Sequence, residues 1–164
     1  ATRRIHFLSL SVYPEEKKAL KPKFIEHKLA NALAILALHQ LKKLSRFNQH
    51  RHMIAQIYVD QLSTTSLRYI APYNSLFLRF TAFHREADEI RAFAQKRGIH
   101  LGDWYTTPIA PAGVDYRAIK FDTQTCPAAN DLAVQTFNLP TDIHISESDA
   151  RRIAAVVKEY LNAN

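Results

Sequence analysis

The sequence predicts an α+β protein: a long N-terminal helical segment followed by a small, mainly antiparallel sheet packed with helices. Three observations predict it. Leucine and alanine recur at helical spacing through about residues 24–62. Short alternating segments then follow, bounded by turn residues. Strand and helix signals in the second half are mixed rather than strictly alternating, which argues against a parallel βαβ sheet. With 164 residues, 47% of them hydrophobic and 23% charged, the chain has an ordinary globular composition and the length of a single domain. That length buries a core without disulfide or metal staples. The expected division is a lead-in strand and connector over residues 1–23 and a domain over 24–164.

The elements follow in order. Residues 5–12 (IHFLSLSV) alternate as a strand does, and Tyr13-Pro14 ends it,. Two arginines precede this run and no small-residue cleavage site follows, so it is a poor signal peptide. The chain opens Ala-Thr-Arg-Arg without methionine, as a processed or truncated chain would. Within 24–62, Leu29, Leu33, Leu36, Gln40 and Leu44 share one helical face, with alanines between them. Such a length exceeds a normal globular helix, and a break near residues 45–48 is expected. Ser63-Thr64-Thr65-Ser66 stops the helix,. Residues 67–70 and 75–83 read as strands around a turn at Pro72-Tyr73-Asn74. In the second strand Leu76, Leu78, Phe80 and Ala82 take one face, and Phe77, Arg79, Thr81 and Phe83 the other,. Residues 85–97 form an amphipathic helix with Ile90, Phe93 and Ala94 inward, closed by Gly98 at the left-handed C-terminal position. A short strand over 99–106 and an irregular stretch over 108–113 come next. Residues 126–137 read as a helix with Pro127 at its first position, and 141–145 as a last strand. Ser146, with Asp149 three residues on, caps a final helix whose Ile153, Val156, Val157, Tyr160 and Leu161 point inward,.

Motifs for chemistry are sparse. Twenty-two Lys and Arg against 15 Asp and Glu give a net charge of +7, but the charges are scattered, and a solvated surface is preferred over a nucleic-acid footprint,. His39, His50 and His52 lack the spacing of a metal site, so polar surface histidines are expected,. Cys126 excludes an intrachain disulfide. It stands at a helix start, where a thiol is acidified, but has no sequence-local partner, and a small buried hydrophobe is the preferred reading. The three glycines, at 98, 102 and 113, spell no phosphate-binding loop,. Trp104, Tyr105, Tyr116 and Phe121 surround a proline-rich stretch; wedging that loop onto a core is preferred over base stacking. No apolar run approaches the roughly 18 residues needed to span a bilayer, so a cytoplasmic protein without a membrane partner is expected.

Several segments, taken together and in order, resemble one family. Residues 28–44 (KLANALAILALHQLKKL), followed by Asn48, Arg51, Ile54-Ala55 and Tyr58, resemble the long helix of DegT/StrS-type aminotransferases. Gly98-Ile99, Trp104-Tyr105 and Pro108 are similar to the segment before that family's long C-terminal loop. Tyr116, Cys126-Pro127-x-Ala129, Asn138-Leu139-Pro140-Thr141 and residues 146–153 are similar to its C-terminal run. These are fold-type-I pyridoxal-phosphate enzymes acting mostly on nucleotide-linked keto-sugars. The resemblance covers about residues 28–161 and implies their small, C-terminal domain. The parent enzyme would transfer an amino group to a keto-sugar or related substrate.

In that family a larger N-terminal domain supplies the Schiff-base lysine, the aspartate facing the pyridine nitrogen and most phosphate contacts, all of which would precede residue 1. No lysine here has a dry, preorganised setting, so the chain alone is expected to be inactive and to bind no pyridoxal phosphate. The implied partners are the missing large domain and a second copy, as a homodimer or higher self-association, with no specific nucleic acid. An Asn-x-Arg element before the family's long helix reaches the cofactor phosphate of the neighbouring subunit. The corresponding positions here are Glu26 and Lys28; Lys28 keeps a cation for that contact in trans, whereas Glu26 would repel a phosphate. Two other readings stay open: a stand-alone basic module for an anionic partner, and a cysteine hydrolase built on Cys126.

Overall fold

The computed structural model of the chain describes residues 12–26, 28–70 and 77–163, without the side chains of residues 23 and 24. The expected strand over 5–12, apart from Val12, and the turn at 72–74 lie outside the described residues. After short 3₁₀ turns at Glu16–Lys18 and Lys23–Glu26, the elements are α1 (Asn31–Leu41), α2 (Leu44–Leu62), β1 (Arg68–Tyr69), β2 (Phe80–Phe83), α3 (Ala87–Lys96), α4 (Pro127–Gln135), β3 (Thr136–Leu139) and α5 (Glu147–Ala163). The strands form an antiparallel sheet in the order β1-β2-β3. The fold is the α+β arrangement the sequence predicts.

The helical entry does divide in two, but its limits differ from those expected. It begins at Asn31 rather than near residue 24, because Ala30 is extended and the chain before it makes only a 3₁₀ turn. The break falls at Lys42-Lys43, ahead of residues 45–48. There the Lys43 N–H donates to the Gln40 carbonyl (2.9 Å), three residues back instead of four, which tightens the turn between α1 and α2.

The core lies between one face of the sheet and three helices. α2 contributes Ile54, Ala55, Tyr58 and Leu62; α3 contributes Ile90 and Ala94; α5 contributes Ala150, Ile153, Ala154 and Val157. Phe80 and Ala82 of β2 and Phe137 and Leu139 of β3 meet them, as period-two alternation requires,. Burying each large side chain contributes about 1.5–3 kcal/mol. Val156, Tyr160 and Leu161 border the core half-buried. The alternation does not extend back along 75–83: Phe77 is buried while Leu78 is 65% exposed. Regular strand geometry begins only at Phe80, so Phe77 reaches Phe80 (ring centroids 6.0 Å apart) from a bend.

The helix ends behave as local chemistry dictates. Gly98 has φ +73°, with Gly98 N donating to the Gln95 carbonyl and Ile99 N to that of Ala94 (both 3.0 Å), the left-handed closure expected for α3,. Ser146 Oγ accepts from Asp149 N, and the Asp149 carboxylate accepts from Ser146 N (both 3.1 Å), a reciprocal cap on α5,. The Ser146 hydroxyl also donates to the Asp149 carboxylate (2.5 Å), and this bond, then that of the Ser146 N–H, holds the Asp149 carboxyl below its ordinary pKa.

Two expectations in the last third are corrected. The helix expected over 126–137 ends at Gln135, and Thr136 starts β3. The Thr136 hydroxyl donates to the Leu132 carbonyl (2.6 Å) and the Gln135 amide to that of Asp131 (3.1 Å), satisfying the helix end,. Strand pairing with β2 then takes over. The expected strand at 141–145 is a turn: the Asp142 carboxylate accepts from His144 N (2.9 Å), and Ile145 N donates to the Asp142 carbonyl (3.1 Å),. The strand expected at 99–106 reduces to one bridge, Gly102 with Asn138.

Candidate functional site

The face of the sheet away from the core carries the most constrained polar side chain. On β3, Thr136 and Asn138 point opposite to Phe137 and Leu139, yet both are buried,. Asn138 Oδ1 accepts from Trp104 N (3.0 Å), and its amide donates to Thr81 Oγ1 (3.2 Å). Its backbone exchanges two hydrogen bonds with Gly102 (2.8 and 2.9 Å). A Cβ at Gly102 would lie 3.3 Å from that of Asn138, so the close approach favours glycine,. One buried amide thus fixes the course of residues 102–104.

Beyond that anchor, Tyr105 adopts φ +68°, in the left-handed region that non-glycine residues seldom occupy,. Trp104 and Tyr105 are 53% and 56% exposed. They therefore do not wedge the loop onto a core as expected; Tyr116 and Phe121 are half-buried and pack edge-on against each other, 5.4 Å apart, without bordering the core cluster. The Arg79 guanidinium lies 4.0 Å from the Trp104 ring centroid, a cation–π contact that holds both in place. Beside them is an apolar groove of about 340 Å³ lined by Ile70, Phe83, Tyr105, Pro108 and Leu132, among others. The sequence signal for this site is Asn138, a polar residue between Phe137 and Leu139.

α1 forms a second surface. None of its residues is buried, and Leu33, Ile35, Leu36, Leu38 and Leu41 are each more than half exposed. Leu29 ahead of it is 62% exposed. Lys28 is exposed in the extended lead-in to this helix, and Glu26 is paired with Lys21 (2.5 Å).

The remaining candidates separate. Cys126 is exposed at the N-cap of α4 rather than buried. Its Sγ accepts from Thr125 Oγ1 (3.8 Å), and among the described residues no acid or histidine bonds to it. Among the described residues no three His, Cys, Asp or Glu side chains gather to hold a metal. No helix is long and apolar enough there to cross a membrane. No lysine side chain described is buried. These exposed and half-buried amines do not fit the dry pocket that a Schiff-base lysine requires.

Comparison with solved structures finds the same fold in longer chains, several of them aminotransferases. DesV of S. venezuelae, in complex with a ketimine intermediate, superposes with a TM-score of 0.71 at 22% identity, over 86% of this chain and 40% of that one. Helicobacter pylori PseC, an aminotransferase of pseudoaminic acid biosynthesis, gives 0.69 at 20% identity, over 88% and 43%. TlmJ of Streptoalloteichus hindustanus gives 0.64 at 24%, over 76% and 34%. The chain thus spans less than half the length of these enzymes. No curated protein sequence matches it. The model of the DegT/DnrJ/EryC1/StrS aminotransferase family, a pyridoxal-phosphate-dependent family, matches residues 8–158, and the chain belongs to that family.

Proposed function

We propose that this chain works as the small, C-terminal domain of a cytoplasmic aminotransferase that acts on a keto-sugar or related substrate. Its partners are a large cofactor-binding domain and a second copy of the assembled enzyme. When bound, pyridoxal phosphate supplies the electron sink for moving an amino group. The lysines of this chain do not hold it, so alone the chain does not transaminate. Its own contribution is a wall: Trp104, Tyr105 and the adjoining apolar groove exclude water from the substrate side, with Asn138 fixing the loop. Lys28 offers a cation to the cofactor phosphate in trans.

The observation that carries this reading is the exposure of α1. A helix apolar around its circumference is stable in a protein that covers it from more than one side. Such a surface favours a domain built to pack on another over a stand-alone basic module, whose binding face would be a continuous stretch of Lys and Arg.

The test is to mix the chain with pyridoxal phosphate, reduce with borohydride and map the label by mass spectrometry. Slow, scattered labelling of surface lysines is expected. One lysine labelled stoichiometrically at low cofactor overturns the reading.

A further inference from the structure

The apolar groove beside Tyr105 has a cation at its rim. At about 340 Å³ the groove falls within the size range of small-molecule sites,. Ile70, Phe83, Tyr105, Pro108 and Leu132 give it hydrocarbon walls, and its three threonine hydroxyls are each already in a hydrogen bond. Thr136 donates to the Leu132 carbonyl (2.6 Å), Thr107 donates to the Ile109 carbonyl (2.9 Å), and Thr81 accepts from the Asn138 amide (3.2 Å). What the groove offers a ligand is therefore mainly apolar surface.

Arg79 stands two residues before Thr81, which lines the groove, and it stacks on Trp104, the neighbour of Tyr105. Its guanidinium carbon lies 4.0 Å from the Trp104 ring centroid. Stacking holds the planar fork in place and leaves its in-plane N–H donors free to bond. The Arg79 Nε is shielded from solvent and has no hydrogen-bond partner. Among the described residues no carboxylate pairs with this guanidinium. Asp103, the acid nearest to Trp104 in sequence, lines a separate pocket with Arg91 and His100. A half-buried cation without a counter-charge is unfavourable, and an anion at the rim of the groove relieves it.

We infer that the groove binds an apolar monocarboxylic acid, with its hydrocarbon body between Tyr105 and Leu132 and its carboxylate on Arg79. A guanidinium matches a planar carboxylate in a two-bond fork. A short acid pairs with Arg79 but covers no apolar surface. An amine on the same hydrocarbon body covers that surface but sets a second cation against Arg79. The inference stands on this geometry alone and does not depend on the aminotransferase reading.

Trp104 is the only tryptophan of the chain, so its emission reports on this site even though the exposed leucines of α1 also attract apolar solutes. The experiment is a fluorescence titration of the 164-residue chain with octanoate, hexanoate, acetate and octylamine. Octanoate is expected to shift Trp104 emission to the blue saturably, and to bind several-fold tighter than hexanoate because more methylenes are covered. Acetate and octylamine are expected to give no saturable shift up to about 10 mM. Arg79→Gln should weaken octanoate by about tenfold or more. Leu132→Ser, at a partly exposed position that leaves the Arg79–Trp104 stack in place, should weaken it several-fold with unchanged circular dichroism. Acetate or octylamine acting as tightly as octanoate, unchanged affinity in R79Q or in L132S, or no saturable shift with octanoate up to about 10 mM each overturns the proposal. None of these results alters the outcome of pyridoxal-phosphate labelling, so the two readings fail separately.

Discussion

Tyr58 shows how much one buried polar atom can carry. Its ring packs 5.4 Å from Phe80 with the side chain fully buried, and its hydroxyl donates to the Pro140 carbonyl (2.8 Å). Tyr58→Phe keeps the ring and strands that carbonyl, so a loss of about 1–3 kcal/mol is expected in urea unfolding. The same residue sets an alkaline limit. Burial, then the charges of Asp142 and Asp149, pushes its pKa up. Because the folded value lies above the unfolded one, near 10, the neutral phenol's contribution is complete below about pH 10 and is lost as pH rises further. Stability of the parent chain should therefore fall above about pH 10, and the difference between parent and Y58F should shrink there. A gap that stays constant from neutral pH to about pH 11 would remove the phenol from the account.

At the scale of elements, α1 offers the sharpest test. Ile35 and Leu38 are 69% and 56% exposed and contribute nothing to the described core. Replacing both with glutamate should leave circular dichroism and thermal midpoint nearly unchanged while lowering self-association in sedimentation equilibrium. A monomeric parent whose double variant unfolds would place these residues in the chain's own core. The sequence made some elements legible because their cause is local. Ser146 with Asp149 and the Gly98 closure depend on a few adjacent residues, and the α2 and α5 faces depend on a repeat across several turns. β3 was not legible: Thr136-Phe137-Asn138-Leu139 continues a helical stretch, and only pairing with β2, more than fifty residues away, makes it a strand. The loop site was half visible. Asn138 is visible between Phe137 and Leu139 but takes its place only once β3 is a strand, whereas the Arg79–Trp104 contact and the left-handed Tyr105 arise from tertiary placement.

Across the whole molecule, the net charge of +7 is interleaved with acids. Arg97 meets Glu159 (2.7 Å) between α3 and α5, and Lys21 meets Glu26. Exposed pairs of this kind add little stability, about 0–1 kcal/mol each, but they break up any continuous cationic track. Duplex and single-stranded DNA should accordingly bind feebly, with affinity vanishing as salt approaches physiological strength. Submicromolar binding in fluorescence anisotropy at that salt would instead favour the basic-module reading.

The exposed leucines of α1 also set a thermal signature. Covering apolar surface lowers heat capacity, and contacts of this kind weaken on cooling. Any assembly that α1 holds together should loosen in the cold: sedimentation velocity at about 4 °C is expected to show more of the smaller species than at about 25 °C. An assembly held by ion pairs carries no such heat-capacity signature. A chilled sample is then the gentlest condition for taking such an assembly apart.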